Sequence, residues 1–117
     1  MQPEIDNFLP LAPATLHILL SLAGEKMYGY AIMQEVARQS NGRYKLGPGT
    51  LYDNLQRLMR QGLVEEVAAR GEDEGSRRRY YCLSGLGRGV LSAEVERLRE
   101  VVDLAQVHLK SPEPRRI

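Results

Sequence analysis

Hydrogen-bonding and charged side chains crowd one short stretch of the chain, between residues 45 and 60. If this stretch is a helix turning about 100° per residue, Leu51, Leu55 and Leu58 share one apolar face. The polar set lies around the rest of the helix and just before it: Asp53, Gln56, Arg57 and Arg60 on the opposite face, Thr50 and Tyr52 flanking the first turn, and Lys45 and Gly49 preceding it. Such groups donate, accept and make charged contacts, as a helix in the major groove of DNA must do. Lys45 and the first-turn amides are suited to hold a phosphate.

The polar face has a plainer interpretation, because most amphipathic surface helices carry one. Asp53 also opposes a contact with phosphate, since both groups are negative. Its carboxylate has two alternative partners, a cytosine amine or Arg57 on the next turn. The position of the helix in the chain favours DNA binding, because it comes third, behind a turn, and directly before a hairpin.

Three helices and a hairpin are predicted to position this face. The first helix begins at Pro13, with an apolar stripe of Leu16, Leu19, Leu20 and Ala23. The second runs from about 28 to 39, with Ile32, Val36 and Ala37 on its core side, and the third from about 50 to 61, ending at Gly62. Two strands, 63–68 and 79–83, enclose a polar loop, and a last helix capped by Ser84 runs to about residue 110.

This order predicts a mainly α (α+β) winged helix-turn-helix with a two-stranded wing. We expect a winged-helix domain over 12–83 and a C-terminal helix over 84–110 packed on the same unit. Residues 1–11 and 111–117 are expected to be tails.

The loop between the two strands has arginines at its base and acids at its tip. Arg77 and Arg78 are predicted to reach the DNA backbone or the minor groove beside the third helix. The alternative is a solvated turn whose opposite charges pair with each other. In the second strand, Tyr81 and Leu83 are expected to face the core.

The last helix carries apolar residues at alternating spacings of four and three, a heptad pattern that suits helix pairing. These residues are Leu91, Val95, Leu98, Val102, Ala105 and Leu109. The stripe is long for one small domain to cover, so part of it is predicted to bury against a second copy. A two-fold homodimer would place two third helices about 34 Å apart, one turn of DNA. The alternative is a helix that packs only on its own domain.

The composition of the chain limits which classes of protein it can belong to. The 117 residues have a formal net charge of only +1, so any DNA-binding charge must be concentrated on one face. Cys82 is the only cysteine, which excludes an intrachain disulfide and favours a reducing cytoplasm. We expect no signal peptide, no membrane span, no metal site and no cofactor. No nucleophile, base and orienting residue come together, so an enzyme is not expected.

Several motifs closely resemble the PadR family of bacterial regulators. They are Tyr28-Gly29-Tyr30-Ala31-Ile32, Gly47-Pro48-Gly49-Thr50-Leu51-Tyr52, the run from Leu55 to Leu63, and Arg79-Tyr80-Tyr81-Cys82-Leu83-Ser84 with Gly87. The resemblance covers about residues 12–90 and is closest to the smaller subclass with a single C-terminal helix. It implies a homodimeric winged helix, usually a repressor, often released from DNA by a small molecule.

Two residues depart from the family pattern at the start of the third helix. Gly47 stands where serine is common, and Asp53 stands where proline is common. The operator sequence therefore cannot be carried over. There is also no tryptophan, so the indole-lined drug pocket of some family members is absent.

Three hypotheses follow. The first is a sequence-specific repressor that binds a near-palindromic operator in double-stranded DNA. The second adds an apolar small-molecule effector between the subunits near the last helix, with Met27, Met33 and Tyr44 as adaptable candidates. The third is a winged-helix module for protein–protein interaction, which predicts weak DNA binding with little sequence preference.

Overall fold

The computed structural model describes residues 3–68 and 79–110, with side chains from residue 5 onwards. Within them it has five helices and three short strands. In chain order these are α1 (Pro3–Asp6), α2 (Pro13–Gly24), β1 (Met27–Tyr28), α3 (Gly29–Gln39), α4 (Pro48–Arg60), β2 (Val64–Val67), β3 (Tyr80–Leu83) and α5 (Gly85–Leu109). The predicted mainly α winged-helix fold with a long C-terminal helix is confirmed.

The helix ends follow from local chemistry. Proline stands at the first position of α2 and of α4, where its missing N–H costs no hydrogen bond. Helix α4 ends in a Schellman motif at Gly62, whose φ of 80° glycine adopts without strain. There the Leu63 amide donates to the Leu58 carbonyl at 2.9 Å, and the Gly62 amide donates to the Met59 carbonyl at 3.0 Å. This tight stop turns the chain straight into β2.

The three strands form one antiparallel sheet in the order β1-β3-β2. Strand β1 was not predicted, and it changes which side chains of β3 are covered. Tyr81 is buried as expected, but Tyr80 is buried as well and Leu83 is only half-buried, so the predicted inward pair is wrong in part. The reason is that Tyr28 packs edge-on against the Tyr80 ring, with the ring centroids 5.6 Å apart.

The core lies between α2, α3, α4 and the first turns of α5. Its fully buried members include Ile18, Leu22, Ile32, Leu55 and Val90. The predicted stripe of α2 is wrong in part, because the buried face includes Ile18 and Leu22, while Leu20 is 37% exposed. Helix α2 is apolar nearly all round, so its periodicity did not fix the buried side.

The N-terminal residues lie along α5. Helix α1 packs on α5, and Ile5, Phe8, Leu9 and Leu11 pack against the core. The Leu11 amide donates to Glu94 Oε2 at 3.0 Å, and this carboxylate is 1% exposed. Arg97 completes the arrangement with two hydrogen bonds to Glu94, of 2.6 and 3.0 Å. Residues 5–11, expected from the sequence to be a tail, thus cover the first half of α5.

Candidate nucleic-acid interface

Helix α4 is divided into a buried face and a polar outer surface. Leu51 and Leu55 are fully buried and Leu58 is 1% exposed, as the helical periodicity predicts. The predicted polar set is exposed throughout: Lys45, Gly49, Thr50, Tyr52, Asp53, Gln56, Arg57 and Arg60. The fold therefore presents hydrogen-bonding groups along the accessible length of α4, which is the requirement for groove recognition.

The Tyr52 side chain leans from α4 onto the first turn of α3. A Cβ added at Gly29 would lie 2.2 Å from the Tyr52 hydroxyl oxygen, so the phenol sits directly on the Gly29 backbone. Tyr52 is 43% exposed as a result. The phenol therefore packs α4 against α3, and only part of its ring is open to a ligand.

Arg57 is held in place by two other side chains. Its Nη2 donates to Asn54 Oδ1 at 2.8 Å and to Thr15 Oγ1 at 3.0 Å. Of the two partners predicted for Asp53, pairing with Arg57 is not found among the described contacts. Sequence reasoning missed Asn54 and Thr15. Asn54 lies three residues before Arg57 on the same helix and could have been found, whereas Thr15 comes from α2 through tertiary packing.

The segment that leads into α4 is anchored to α2 and α3. The Tyr44 amide donates to Ser40 Oγ at 3.0 Å, and the Tyr44 ring lies 5.2 Å from the His17 ring. Gly47 caps α4 without a side-chain hydrogen bond, as expected where the family's serine is absent. Lys45 and residues 47–50 at the start of α4 are all exposed, and their contact with a phosphate stays a prediction.

The wing is described only at its base. Strands β2 and β3 pair from Val64–Leu83 to Val67–Tyr80, and exposed Arg79 lies 3.8 Å from Glu66. Arg77 and Arg78, both predicted to contact DNA, lie outside the described residues. Their contacts stay a prediction.

The predicted dimer seam on α5 divides into two parts. Leu91 is 6% exposed and belongs to the core of its own domain, so it offers little surface to a second copy. Val95 is 36% exposed and Leu98 is half-buried, while Val102, Ala105 and Leu109 are exposed. Three further apolar residues widen the exposed part: Val101, Leu104 and Val107.

The part of the chain that the structure describes contains a cleft with the size of a small-ligand site. This cleft of about 210 Å³ lies between the N-terminal segment and the end of α4, with Asn7, Thr15, Arg57 and Gln61 among its polar lining. Met27, Met33 and Tyr44, the predicted effector contacts, are partly buried against the core. Residues 3–68 and 79–110 contain no helix long and apolar enough to cross a membrane and no cluster able to hold a metal ion.

Comparison with known proteins agrees with this architecture. Residues 18–93 match the model of the transcriptional regulator PadR-like family. The chain is 34% identical over 90 residues to the transcriptional regulator Rv3488 of Mycobacterium tuberculosis, covering 77% of this chain and 79% of that one. It is 33% identical over 97 residues to an uncharacterized protein of Lysinibacillus sphaericus, covering 82% and 88%. A PadR family transcription regulator from Clostridium difficile superposes with a TM-score of 0.66 at 26% identity, covering 84% and 99%.

Proposed function

The chain belongs to the transcriptional regulator PadR-like family, and from that premise we propose that it represses transcription by binding a near-palindromic operator as a homodimer. Regulation of transcription is the function of the family, and such regulators generally have no enzymatic activity. To this family function the proposal adds how the protein recognises DNA, its assembly as a two-fold dimer, and repression rather than activation of transcription.

The observation that carries the proposal is the exposed outer surface of α4. Gln56, Arg57 and Arg60 supply donors for base edges, and Asp53 supplies an acceptor for a cytosine amine. Lys45, Gly49 and Thr50 at the start of the helix are assigned to phosphate contacts. Tyr52 lies beside them at the α3–α4 junction. Arg77 and Arg78 of the wing are assigned to the adjacent minor groove or backbone.

The second copy is assigned to the distal part of α5. Val101, Val102 and Leu104 are each more than half exposed in the single chain. Apolar side chains clustered this way mark a protein–protein contact. An isologous pairing of two α5 helices would bury them and bring two α4 helices to half-sites one turn of DNA apart.

Release by a small molecule is the third part of the proposal, and it rests on family resemblance. An effector must bind the DNA-free conformation better than the DNA-bound one. Met27, Met33 and Tyr44 remain the candidate contacts, and they must repack to admit an apolar ligand because they already pack against the core.

The test starts from fragmented genomic DNA of the source organism, incubated with the purified protein and recovered by pull-down of the protein. We expect enrichment of a short inverted repeat. Arg57→Ala should weaken binding to it by about 1–3 kcal/mol. The matched control is Arg99→Ala, an exposed α5 arginine paired with Glu96, which should leave the affinity unchanged. Uniform weak recovery of all fragments would overturn the proposal and favour the protein-interaction module.

A further inference from the structure

We propose that Thr15 and Asn54 are positioning residues that fix the Arg57 guanidinium for base recognition, and thereby set the base preference at one position in each half-site. This inference rests on the proposed function. It assigns a role in specificity to one buried residue of α2 and to one residue of α4 that the predicted contact set does not include.

The orientation of Asn54 is set by its own helix. Its Nδ2 donates to the Thr50 carbonyl at 2.9 Å. The amide oxygen must then point the opposite way, where it accepts from Arg57 Nη2 at 2.8 Å. A flipped amide would lose both bonds, because an oxygen would face the carbonyl and an NH₂ group would face the guanidinium.

Thr15 connects the Arg57 guanidinium to helix α2 through a hydrogen bond. Thr15 lies on α2 and is 5% exposed, and its hydroxyl accepts from Arg57 Nη2 at 3.0 Å. The same hydroxyl lies 3.5 Å from Asn54 Oδ1, in the direction of a donated hydrogen bond. Thr15 also precedes the segment matched by the family model, which begins at residue 18. The restraint thus comes from outside the segment that defines the family.

The consequence for recognition follows from the shape of the guanidinium. The group is planar with five N–H donors, and the two bonds described here use those on Nη2. Fixing Nη2 therefore fixes the plane in which Nη1 and Nε donate. An arginine held this way loses less conformational freedom on binding, and it reads a guanine through two parallel hydrogen bonds only at the matching angle.

The opposite reading is that the same bonds hold Arg57 against α2, away from DNA, as a clamp between two helices. The two hypotheses predict opposite changes in operator affinity when these hydrogen bonds are removed. If the bonds position Arg57 for DNA, removing them weakens operator binding and broadens base preference. If they restrain it from DNA, removing them tightens binding.

The experiment replaces Thr15 with valine, which keeps the shape and removes the hydroxyl, and measures affinity for the selected operator and for operators with single base-pair changes. We expect Thr15→Val to lose about 5–10-fold in operator affinity, the value of about one hydrogen bond, and to lose discrimination at one position per half-site. Thr15→Ser, which keeps the hydroxyl and its hydrogen bonds, should stay within about two-fold of the unmodified protein. Ser21→Ala is the matched control, since Ser21 is also buried on α2 but donates to the His17 carbonyl of its own helix.

A double-mutant cycle separates positioning from general destabilisation. In the Arg57→Ala background, Thr15→Val should cause no further loss and no further change of base preference. An equal loss in both backgrounds, unchanged discrimination, or tighter binding would each overturn the inference. If Thr15→Val does not fold, Asn54→Ala must show the same loss at the same base pair. An unmodified protein without any preferred sequence would overturn the proposed function itself.

Discussion

The two halves of α5 have similar apolar spacing but opposite surroundings. In the first half, Val90 is fully buried, Leu91 is 6% exposed and even the charged Glu94 is 1% exposed. In the second half, Val102 is 52% exposed and Leu104 is 60% exposed. One helix thus starts as part of a domain core and continues as an apolar surface that the described chain does not cover.

What separates the halves is the N-terminal segment. Ile5 and Leu11 lie over the first turns of α5, and the Leu11 amide bonds to Glu94. Past Arg97, the described residues supply no comparable cover, and every residue from 99 to 110 is exposed. The comparison teaches that the first half stabilises the protomer, whereas the second half is the surface that we propose pairs with a second copy. The predictions below test that division.

The largest effect is expected where α5 passes closest to the wing. A Cβ at Gly87 would lie 2.0 Å from the Leu63 carbonyl oxygen, which is backbone and cannot swing away. Gly87→Ala should therefore lower the free energy of unfolding by about 3–4 kcal/mol, measured by urea denaturation. Gly85→Ala is the control, because nothing lies within 4 Å of a Cβ there. Equal stability of the two variants would mean that α5 is not packed against Leu63 as described.

A charge in the second half should break assembly and spare the fold. Val102→Glu puts an unpaired carboxylate into the proposed seam, and we expect it to weaken dimerisation by about 3 kcal/mol, or about 100-fold in Kd. Sedimentation velocity over a concentration series measures this. Ser92→Glu adds the same charge at an exposed position in the first half of α5, on a different face from Val102, and should leave the dimer intact. A Val102→Glu dimer as tight as the unmodified one would place the interface elsewhere.

The smallest effect concerns the acid that joins the N-terminal segment to α5. Hydrogen bonds from Arg97 hold the pKa of Glu94 below its ordinary 4.5. Burial of the carboxylate acts in the opposite direction, and the hydrogen bond from the Leu11 amide adds to the lowering. A lowered folded-state pKa stabilises the protein above the unfolded-state value, and this contribution is lost as the pH falls through the folded-state pKa. Glu94→Gln should cost about 1–2 kcal/mol near pH 7, and the difference from the unmodified protein should shrink below pH 4.5.

Urea denaturation at a series of pH values measures the Glu94 effect. Glu96→Gln is its control, since Glu96 and Arg99 are both mostly exposed and their ion pair should contribute under about 1 kcal/mol. A Glu94→Gln difference that persists unchanged at pH 3 would mean that the carboxylate's charge is not what stabilises this junction.

The sequence predicted the parts of the fold that local chemistry determines. Pro48 and Gly62 mark the ends of α4, and the spacing of Leu51, Leu55 and Leu58 shows which face is buried. The buried face of α2 could not be predicted in the same way, because this helix is apolar nearly all round. Strand β1 has only two residues, too few for a periodic pattern, so the cover over Tyr80 was not foreseen.

The same limit applies to the candidate interface. The exposed set on α4 follows from helical periodicity alone. The bond from Arg57 to Thr15 joins residues 42 apart in the chain, and no local pattern encodes it. The cover that residues 5–11 give to α5 is likewise tertiary, which is why Leu91 was assigned to the dimer seam although the protomer itself buries it.

The central claim is that distal α5 pairs two protomers so that two α4 helices read one operator. Its most direct test is the stoichiometry and footprint of the unmodified protein on the enriched genomic fragment, measured by analytical ultracentrifugation and hydroxyl-radical cleavage. The account predicts two protomers per site, protecting two half-sites whose centres lie about 10 base pairs apart. One protomer per site, or protection without paired half-sites, would contradict it.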